Sequence, residues 1–347
     1  MSTIRMAVIG VGALGRHHAR ILAGLDGVEL IGVVDANPQQ GQQVAVSAGT
    51  QWYPDHRGLL TEVDAVTIAV PTFAHARIAT DFLDNGIHTL IEKPLTADLS
   101  EAVPLVRAAE RTGALLQVGH VERFNPAFQT AAPLCDNPRY IRAERLSPFS
   151  FRSTDIGVVH DLLIHDLDLV LALTGSTVRQ VDALGMTLMG EHEDAVQVRL
   201  TFENGCIADL SASRIHPQAR RATTIWTATR CVQVDFAARE VTSYQPSDRL
   251  QFGPTPVGLA SQPGADLEQL KKDVFGSFIE VTSIPVPAGD ALTAELTEFV
   301  NCIQNDTNPT VTGQVALQSL EIAERILGIL QAKQSESWTE SPLVKAA

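Results

Sequence analysis

The chain has 347 residues, 45% of them hydrophobic and 19% charged, which is ordinary globular usage and excludes a disordered, collagen-like or coiled-coil protein. At roughly 100 to 200 residues per domain that length predicts two domains. With 26 Lys and Arg against 40 Asp and Glu, the net charge of −14 repels phosphate backbones and anionic headgroups, so general nucleic-acid and membrane-surface binding are excluded as functions.

The first 120 residues alternate short β-branched runs with amphipathic stretches, the pattern of repeated βαβ units on a parallel sheet. Strands are expected at Ile4 to Ile9, Val28 to Val34, Gln51 to Tyr53, Ala65 to Ala69, His88 to Ile91 and Leu115 to Val118. Helices are expected between them at Leu14 to Leu25, Pro38 to Ser47, Ala74 to Asn85 and Ser100 to Thr112, the last with Ser100 as its cap. Beyond Gly119 the texture changes. Strand-like runs follow one another at Arg139 to Leu146, Val178 to Met186, Ala195 to Phe202, Cys206 to Arg214, Arg221 to Ala228 and Cys231 to Phe236. Glu203-Asn204-Gly205 reads as a hairpin turn, and the alternation Val196, Val198, Leu200, Phe202 marks a sheet with one packed face. One helix, Val159 to Leu173, interrupts the strands, and two more, Ala291 to Ile303 and Gln314 to Leu330, follow them. Pro246 to Pro263 reads as a long loop and the last dozen residues as a flexible tail.

Cys135, Cys206, Cys231 and Cys302 are widely spaced and form no CxxC, which fits reduced thiols better than disulfides or zinc. No signal-peptide core and no run of about 18 uncharged apolar residues is present, so a cytoplasmic location is expected.

Gly10, Gly12 and Gly15 form a GxGxxG directly after the first strand and before a helix. With 24 glycines the bare string arises by chance in roughly one chain in ten, so context carries it. A dinucleotide site needs a tight turn, close approach of backbone to pyrophosphate, and close helix packing, and this turn from Gly10 through Gly12, Ala13 and Leu14 to Gly15 supplies them. Asp35 stands at the end of the next strand, 20 residues after Gly15, placed to accept ribose hydroxyls and to disfavour a 2′-phosphate, so NAD is expected rather than NADP. Arg16 weakens that preference slightly.

Pro71, Thr72 and His75 follow the fourth strand, and Glu92-Lys93-Pro94 ends the fifth, at the carboxyl ends where open parallel sheets bind ligands. Pro71 and His75 could equally serve as strand terminator and helix cap. Lys93, flanked by Pro at the end of an apolar strand, could polarise a hydroxyl or carbonyl oxygen. On a helix Asp161 and His165 share a face, so the carboxylate can hold one ring nitrogen and leave the other as a general base. The same stretch, His160-Asp161-Leu-Leu-Ile-His165-Asp166-Leu-Asp168, leaves a metal site or a plain polar helix face open as rival readings; no metal is the expectation.

The glycine turn, Asp35, the Glu92-Lys93-Pro94 triplet and the Asp161/His165 pair together resemble the Gfo/Idh/MocA family of sugar and cyclitol oxidoreductases, over nearly the whole chain. That resemblance implies an α/β chain: a Rossmann, doubly wound NAD-binding domain over 1–120, then a substrate-binding and oligomerisation α/β domain over 121–335 with a large, open, mainly antiparallel sheet, and a tail over 336–347. It implies Lys93 and His165 as the catalytic pair with Asp161 beside them, and Pro71, Thr72, His75 and Glu92 near the cofactor. Two departures stand out, Thr72 in place of the usual Asn and no glycine pair before the Asp161 helix. The strings Gly10 to Arg20, Gly119 to Pro126 and His160 to Asp168 are similar to a branch of the family that oxidises C3 of UDP-N-acetylglucosamine, with an aminotransferase acting next, often for lipid A. Arg123 and Asn125 would then meet a diphosphate or uronate and sugar hydroxyls, the plain alternative for Arg123 being an interdomain salt bridge. Arg145, Arg152 and Arg214 are further candidates without a place. A homodimer or homotetramer through the second sheet is expected. The alternatives are a free-sugar or inositol dehydrogenase on the same scaffold, and a dinucleotide-binding regulator without turnover.

Overall fold

The computed structural model of the chain describes residues 3–151 and 156–340, with side chains through Lys333; Arg152, one of the sequence candidates, lies outside the described residues. Along the chain run β1 (Ile4–Ile9), α1 (Gly15–Leu22), β2 (Val28–Val34), α2 (Pro38–Ala48), β3 (Gln51–Tyr53), β4 (Ala65–Ile68), α3 (His75–Leu83), β5 (His88–Glu92), α4 (Leu99–Thr112) and β6 (Leu116–Gly119). They are followed by α5 (Pro126–Ala131), β7 (Tyr140–Leu146), α6 (Ile164–Thr174), β8 (Val178–Met186), β9 (Ala195–Phe202), β10 (Ile207–Ser213), β11 (Arg220–Trp226), β12 (Cys231–Asp235) and β13 (Glu240–Pro246). The chain continues with α7 (Asp248–Phe252), α8 (Pro256–Ala260), α9 (Leu267–Asp273), β14 (Ile279–Ile284), α10 (Ala291–Asn305) and α11 (Gly313–Glu340). Two compact units result, Met1–Phe124 with Gly289–Arg325, and Asn125–Ala288 with Ile326–Ala347.

The first unit is the expected doubly wound sheet, six parallel strands in the order β3-β2-β1-β4-β5-β6. Its central strands are apolar along their length because both faces are covered. Met6, Val8 and Leu90 pack under Ala19 and Leu22 of α1, whereas Ala7, Ile9, Ile68 and Ile91 pack under α3 and α4 through Phe82 and Leu105. Helix starts follow their caps: Asn37 accepts the N–H groups of Gln39 and Gln40 before Pro38 begins α2. The cap of α4 is Asp98, which accepts the N–H of Glu101, and not Ser100, whose hydroxyl instead donates to Asp98.

Two expectations about the domains need correction. The boundary falls after Phe124 rather than at 120, and residues 289–325 belong to the first unit, not the second. The reason is hydrophobic: Leu296, Phe299 and Val300 of α10 complete the cluster around Met6, Val8 and Leu90.

The second unit is built on eight strands in the order β14-β13-β12-β11-β7-β10-β9-β8. Among these pairs β7 with β10 is parallel and the rest are antiparallel. Val196, Val198, Leu200 and Phe202 of β9 are buried, as their alternation requires. The opposite face carries Tyr140, Arg142, Arg199 and Asp209, tied together by Arg199 Nε donating to Asp209 at 2.7 Å and Tyr140 OH donating to the same carboxylate at 2.7 Å. The stretch read as a loop from Pro246 to Pro263 contains α7 and α8, each started by a side-chain cap, Ser247 and Thr255. Of the expected tail, residues 336–340 continue α11 and 341–347 lie outside the described residues.

Candidate active site

In the first unit β1 ends at Ile9 and Gly10 turns the chain with φ of 84°, a left-handed conformation that favours glycine. A Cβ on Gly15 would fall 1.8 Å from Gly10 O, so the absence of a side chain is what lets α1 start against the strand end. At Gly12 a Cβ would meet only Gln40 Nε2, at 3.9 Å, so the fold itself does not need that glycine. A glycine that packing does not require, set at a helix N-terminus whose first-turn N–H groups lack helical partners, fits a phosphate approaching the backbone. Asp35 directly follows β2; its carboxylate accepts the N–H of Val11 at 2.9 Å and of Asn37 at 2.8 Å, which locks the turn to the end of the neighbouring strand. Trp52 Nε1 donates to Asp35 O at 3.1 Å and Gln40 Nε2 to Val11 O at 2.6 Å.

A cleft of about 540 Å³ opens here, lined by Gly10, Gly12, Asp35 and Pro71 together with His56, Phe73 and Arg77. Phe73 is 76% exposed, an unusual surface for a phenylalanine. Nothing in the local sequence around His56, Phe73 or Arg77 pointed to them. Gly12 and Gln40 also line a second groove, of about 830 Å³, between α1 and α2, where Arg16 lies outward beside His17 and Arg20.

The ends of β4 and β5 are joined by His75. Its ring is buried and bridges two backbone carbonyls, Nε2 lying 2.9 Å from Val70 O and Nδ1 2.9 Å from Pro94 O. Burial pushes this imidazole below the ordinary histidine range despite those hydrogen bonds, which act the other way. Thr72 is buried and Pro71 exposed. Lys93 is half-buried between the buried Glu92 and Pro94, and the Lys93–Pro94 peptide is cis. Glu92 turns inward: its carboxylate lies 3.0 Å from Nε2 of His18, a histidine with no exposed surface. The first unit therefore brings Gly10, Gly12, Asp35 and Pro71 to one cleft, while the side chains of Glu92 and His75 are engaged behind it.

In the second unit the segment carrying Asp161 and His165 is a helix, but not a uniform one. A π-turn covers Val159–Leu163 before α6 begins at Ile164, so Asp161 and His165 straddle a widened turn rather than an α-helical i, i+4 step. Both side chains are half-buried. Three contacts fix the segment, one of them fully buried. Glu193 accepts the N–H of Val159 at 3.0 Å. Arg145 donates to both oxygens of Asp166, at 3.0 and 2.9 Å, with both side chains buried. Arg214 reaches Ile156 O at 2.8 Å while holding Asp194 at 2.7 Å. Burial alone would raise the Asp194 carboxyl, but the N–H groups of Leu188 and Met189 and the Arg214 guanidinium together hold it below the usual range. Arg145 and Arg214 thus gain places as anchors of this helix, and Glu193 is an anchor that sequence reading missed. Asn125 caps α5 by accepting the N–H of Ala127 at 3.0 Å, and Arg123 lies half-buried in a short turn at Val121–Phe124. No group of three or more His, Cys, Asp or Glu side chains able to hold a metal occurs among the described residues.

A glycine turn on a doubly wound parallel sheet, an acidic residue at the end of β2 and a lysine at the end of β5 define a dinucleotide-dependent oxidoreductase. The family model described as the oxidoreductase family with an NAD-binding Rossmann fold matches residues 4–120, and the Gfo/Idh/MocA C-terminal domain matches residues 135–230. The chain belongs to the Gfo/Idh/MocA family and carries its NAD-binding domain. It is 36% identical over 304 residues, 87% of its length and 90% of the relative's, to the UDP-N-acetylglucosamine 3-dehydrogenase of Acidithiobacillus ferrooxidans. It is 28% identical over 338 residues, 92% of each chain, to the scyllo-inositol 2-dehydrogenase (NAD(+)) of Bacillus subtilis. A solved structure of the Acidithiobacillus ferrooxidans enzyme superposes with a TM-score of 0.84 at 34% identity, covering 96% of this chain and 99% of that one.

Proposed function

We propose that the protein oxidises the C3 hydroxyl of UDP-N-acetylglucosamine, or of a closely related UDP-sugar, to the 3-keto sugar. The observation that carries this reading is the 36% identity, over 87% of the chain, to an enzyme of that activity, against 28% to the inositol enzyme. NAD fits the turn at Gly10, Gly12 and Gly15 and the carboxylate of Asp35, and when bound it supplies the acceptor for the hydride. The chain's own residues do the rest. His165 takes the hydroxyl proton, Asp161 orients its ring, and Lys93 stabilises the oxyanion that develops at C3. Arg123 offers a guanidinium to the diphosphate and Asn125 its amide to the sugar.

A cytoplasmic location suits a nucleotide-sugar substrate; among the described residues no helix is long and apolar enough to cross a membrane. An aminotransferase consuming the keto sugar is the fitting pathway partner. Leu184, Met186 and Trp226, exposed by 65%, 52% and 40% on the open face of the second sheet, support a homodimer or homotetramer formed there, which light scattering after gel filtration tests.

The deciding experiment follows NADH absorbance with UDP-N-acetylglucosamine, free N-acetylglucosamine, glucose and myo-inositol, with a coupled aminotransferase and glutamate to pull the equilibrium. NADH formed with the UDP-sugar alone supports the proposal. Turnover with a free polyol alone moves the chain to the inositol branch, and silence on all four despite NAD binding makes it a non-catalytic dinucleotide binder.

A further inference from the structure

Lys93 is one residue in a strap that leaves the sheet at the end of β5, and the strap is held from both faces of the first unit. On the face covered by α1 and α10, where Leu90 is packed, the Glu92 carboxylate lies 3.0 Å from His18 Nε2, a contact of ion-pair length without the alignment of a hydrogen bond. Both side chains are buried, and Gly119 of the adjacent strand β6 makes room for the carboxylate, since a Cβ there would fall 2.9 Å from it. On the opposite face, where Ile91 and Leu95 are packed, His75 bridges Val70 O and Pro94 O and comes within 3.3 Å of Leu95 O. The residue before Lys93 thereby lies against one buried imidazole and the two after it against another. His18 also sits one turn beyond Gly15, on the helix that begins at the dinucleotide turn.

We propose that His18 is a positioning residue for catalysis: through Glu92 it fixes the Lys93 strap to α1, so that the ammonium is held where the oxyanion forms, with His75 bracing the strap from the other face. The role rests on the reading of Lys93 given above. A buried side chain that only filled space could be replaced by one of similar volume with little change in chemistry. A positioning side chain could not, because a displacement of the order of 1 Å at a catalytic group lowers turnover by about 10²-fold.

The test compares His18→Leu, His18→Gln, Lys93→Arg and the double variant His18→Leu/Lys93→Arg, with circular dichroism and thermal melts on each and NAD affinity measured directly. His18→Leu is expected to lower kcat by at least about twentyfold, with KM for the sugar and Kd for NAD within about threefold of the native values. His18→Gln, which keeps a donor toward Glu92, recovers most of that loss. In the double variant the His18→Leu loss shrinks below threefold, because the group it positions is already gone. Equal and additive losses in both backgrounds, or a rise in KM or Kd that accounts for the whole effect, overturn the proposal. If His18→Leu does not fold, Glu92→Met, which keeps the side-chain length and removes both carboxylate oxygens, takes its place with the same expectations and the same refuting outcomes. Native kcat in Lys93→Arg and also in Lys93→Ala would remove Lys93 from the chemistry; loss in both with native kcat in His18→Leu would sink the positioning role alone.

Discussion

Alanine at position 15 would place its methyl carbon 1.8 Å from Gly10 O and 3.3 Å from Ala69 Cβ. A methyl carbon and a carbonyl oxygen do not approach within 3.0 Å, so α1 and the end of β1 must part by about 1.2 Å. Overpacking of this kind costs about 1–3 kcal/mol of stability. The larger effect falls on the cofactor, because the same displacement moves the first-turn N–H groups away from the pyrophosphate. Losing one charge-assisted hydrogen bond to the pyrophosphate costs about 1.5–3 kcal/mol, so Kd for NAD should rise roughly 10- to 100-fold. Gly12→Ala provides the contrast: its Cβ meets nothing in the protein closer than 3.9 Å, so the melting temperature should hold while NAD binding weakens, only the ligand needing that space. Calorimetric titration with NAD, alongside thermal melts, separates the two. A folded Gly15→Ala variant that binds NAD within threefold of the native Kd would refute the placement of the cofactor on this turn.

Other outcomes follow from the same geometry. His165→Asn should lower kcat by about 10²–10⁴-fold and leave NAD affinity unchanged, as read by steady-state kinetics and titration. Asp194→Ala leaves the buried Arg214 without its carboxylate, which should cost about 3–5 kcal/mol and lower the melting temperature by on the order of 10 °C; a melt within 2 °C or so of native would mean that the pair holds little. Stability should also depend on pH in two steps. Burial holds His75 and His88 below the ordinary histidine range in the fold, so the unfolded chain binds their protons first and stability falls as pH drops through about 6.5. The second step comes below about pH 4, as Asp64 and Asp194, both depressed in the fold, are protonated. Urea midpoints measured from pH 8 to pH 3 should show both, and a midpoint flat between pH 8 and pH 5 would contradict the first.

The first sheet was legible almost residue for residue, β1, β2 and β3 having the expected bounds, and its central strands β1, β4 and β5 read as apolar runs because both of their faces are covered. The edge of the second sheet was not. β13 is Glu-Val-Thr-Ser-Tyr-Gln-Pro and β14 Ile-Glu-Val-Thr-Ser-Ile, polar stretches half exposed at one margin, where the hydrophobic signal fades. The sequence marked α10 as a helix, but nothing local says which sheet its apolar face covers. The same limit hid the contacts that organise the site. His18 and Glu92 are 74 positions apart and Arg145 and Asp166 are 21, pairings set by tertiary structure alone. Motifs marked the glycine turn and Lys93 because a close backbone approach and a lysine at the carboxyl end of an apolar strand each leave a local mark on residue type. The π-turn under Asp161 and His165 has no such local mark.

The return of residues 289–325 to the first unit has a consequence for synthesis of the chain. When Phe124 leaves the ribosome the dinucleotide domain already has all six strands, yet one face of its sheet lacks Leu296, Phe299 and Val300. The 164 intervening residues, from Asn125 to Ala288, take roughly 8–33 s to translate at about 5–20 residues per second. Throughout that interval Met6, Val8 and Leu90 are a sticky, half-covered surface on a nascent chain. A fragment ending at Phe124 would keep that surface permanently, and it should bind chaperones and aggregate where the full-length protein does not.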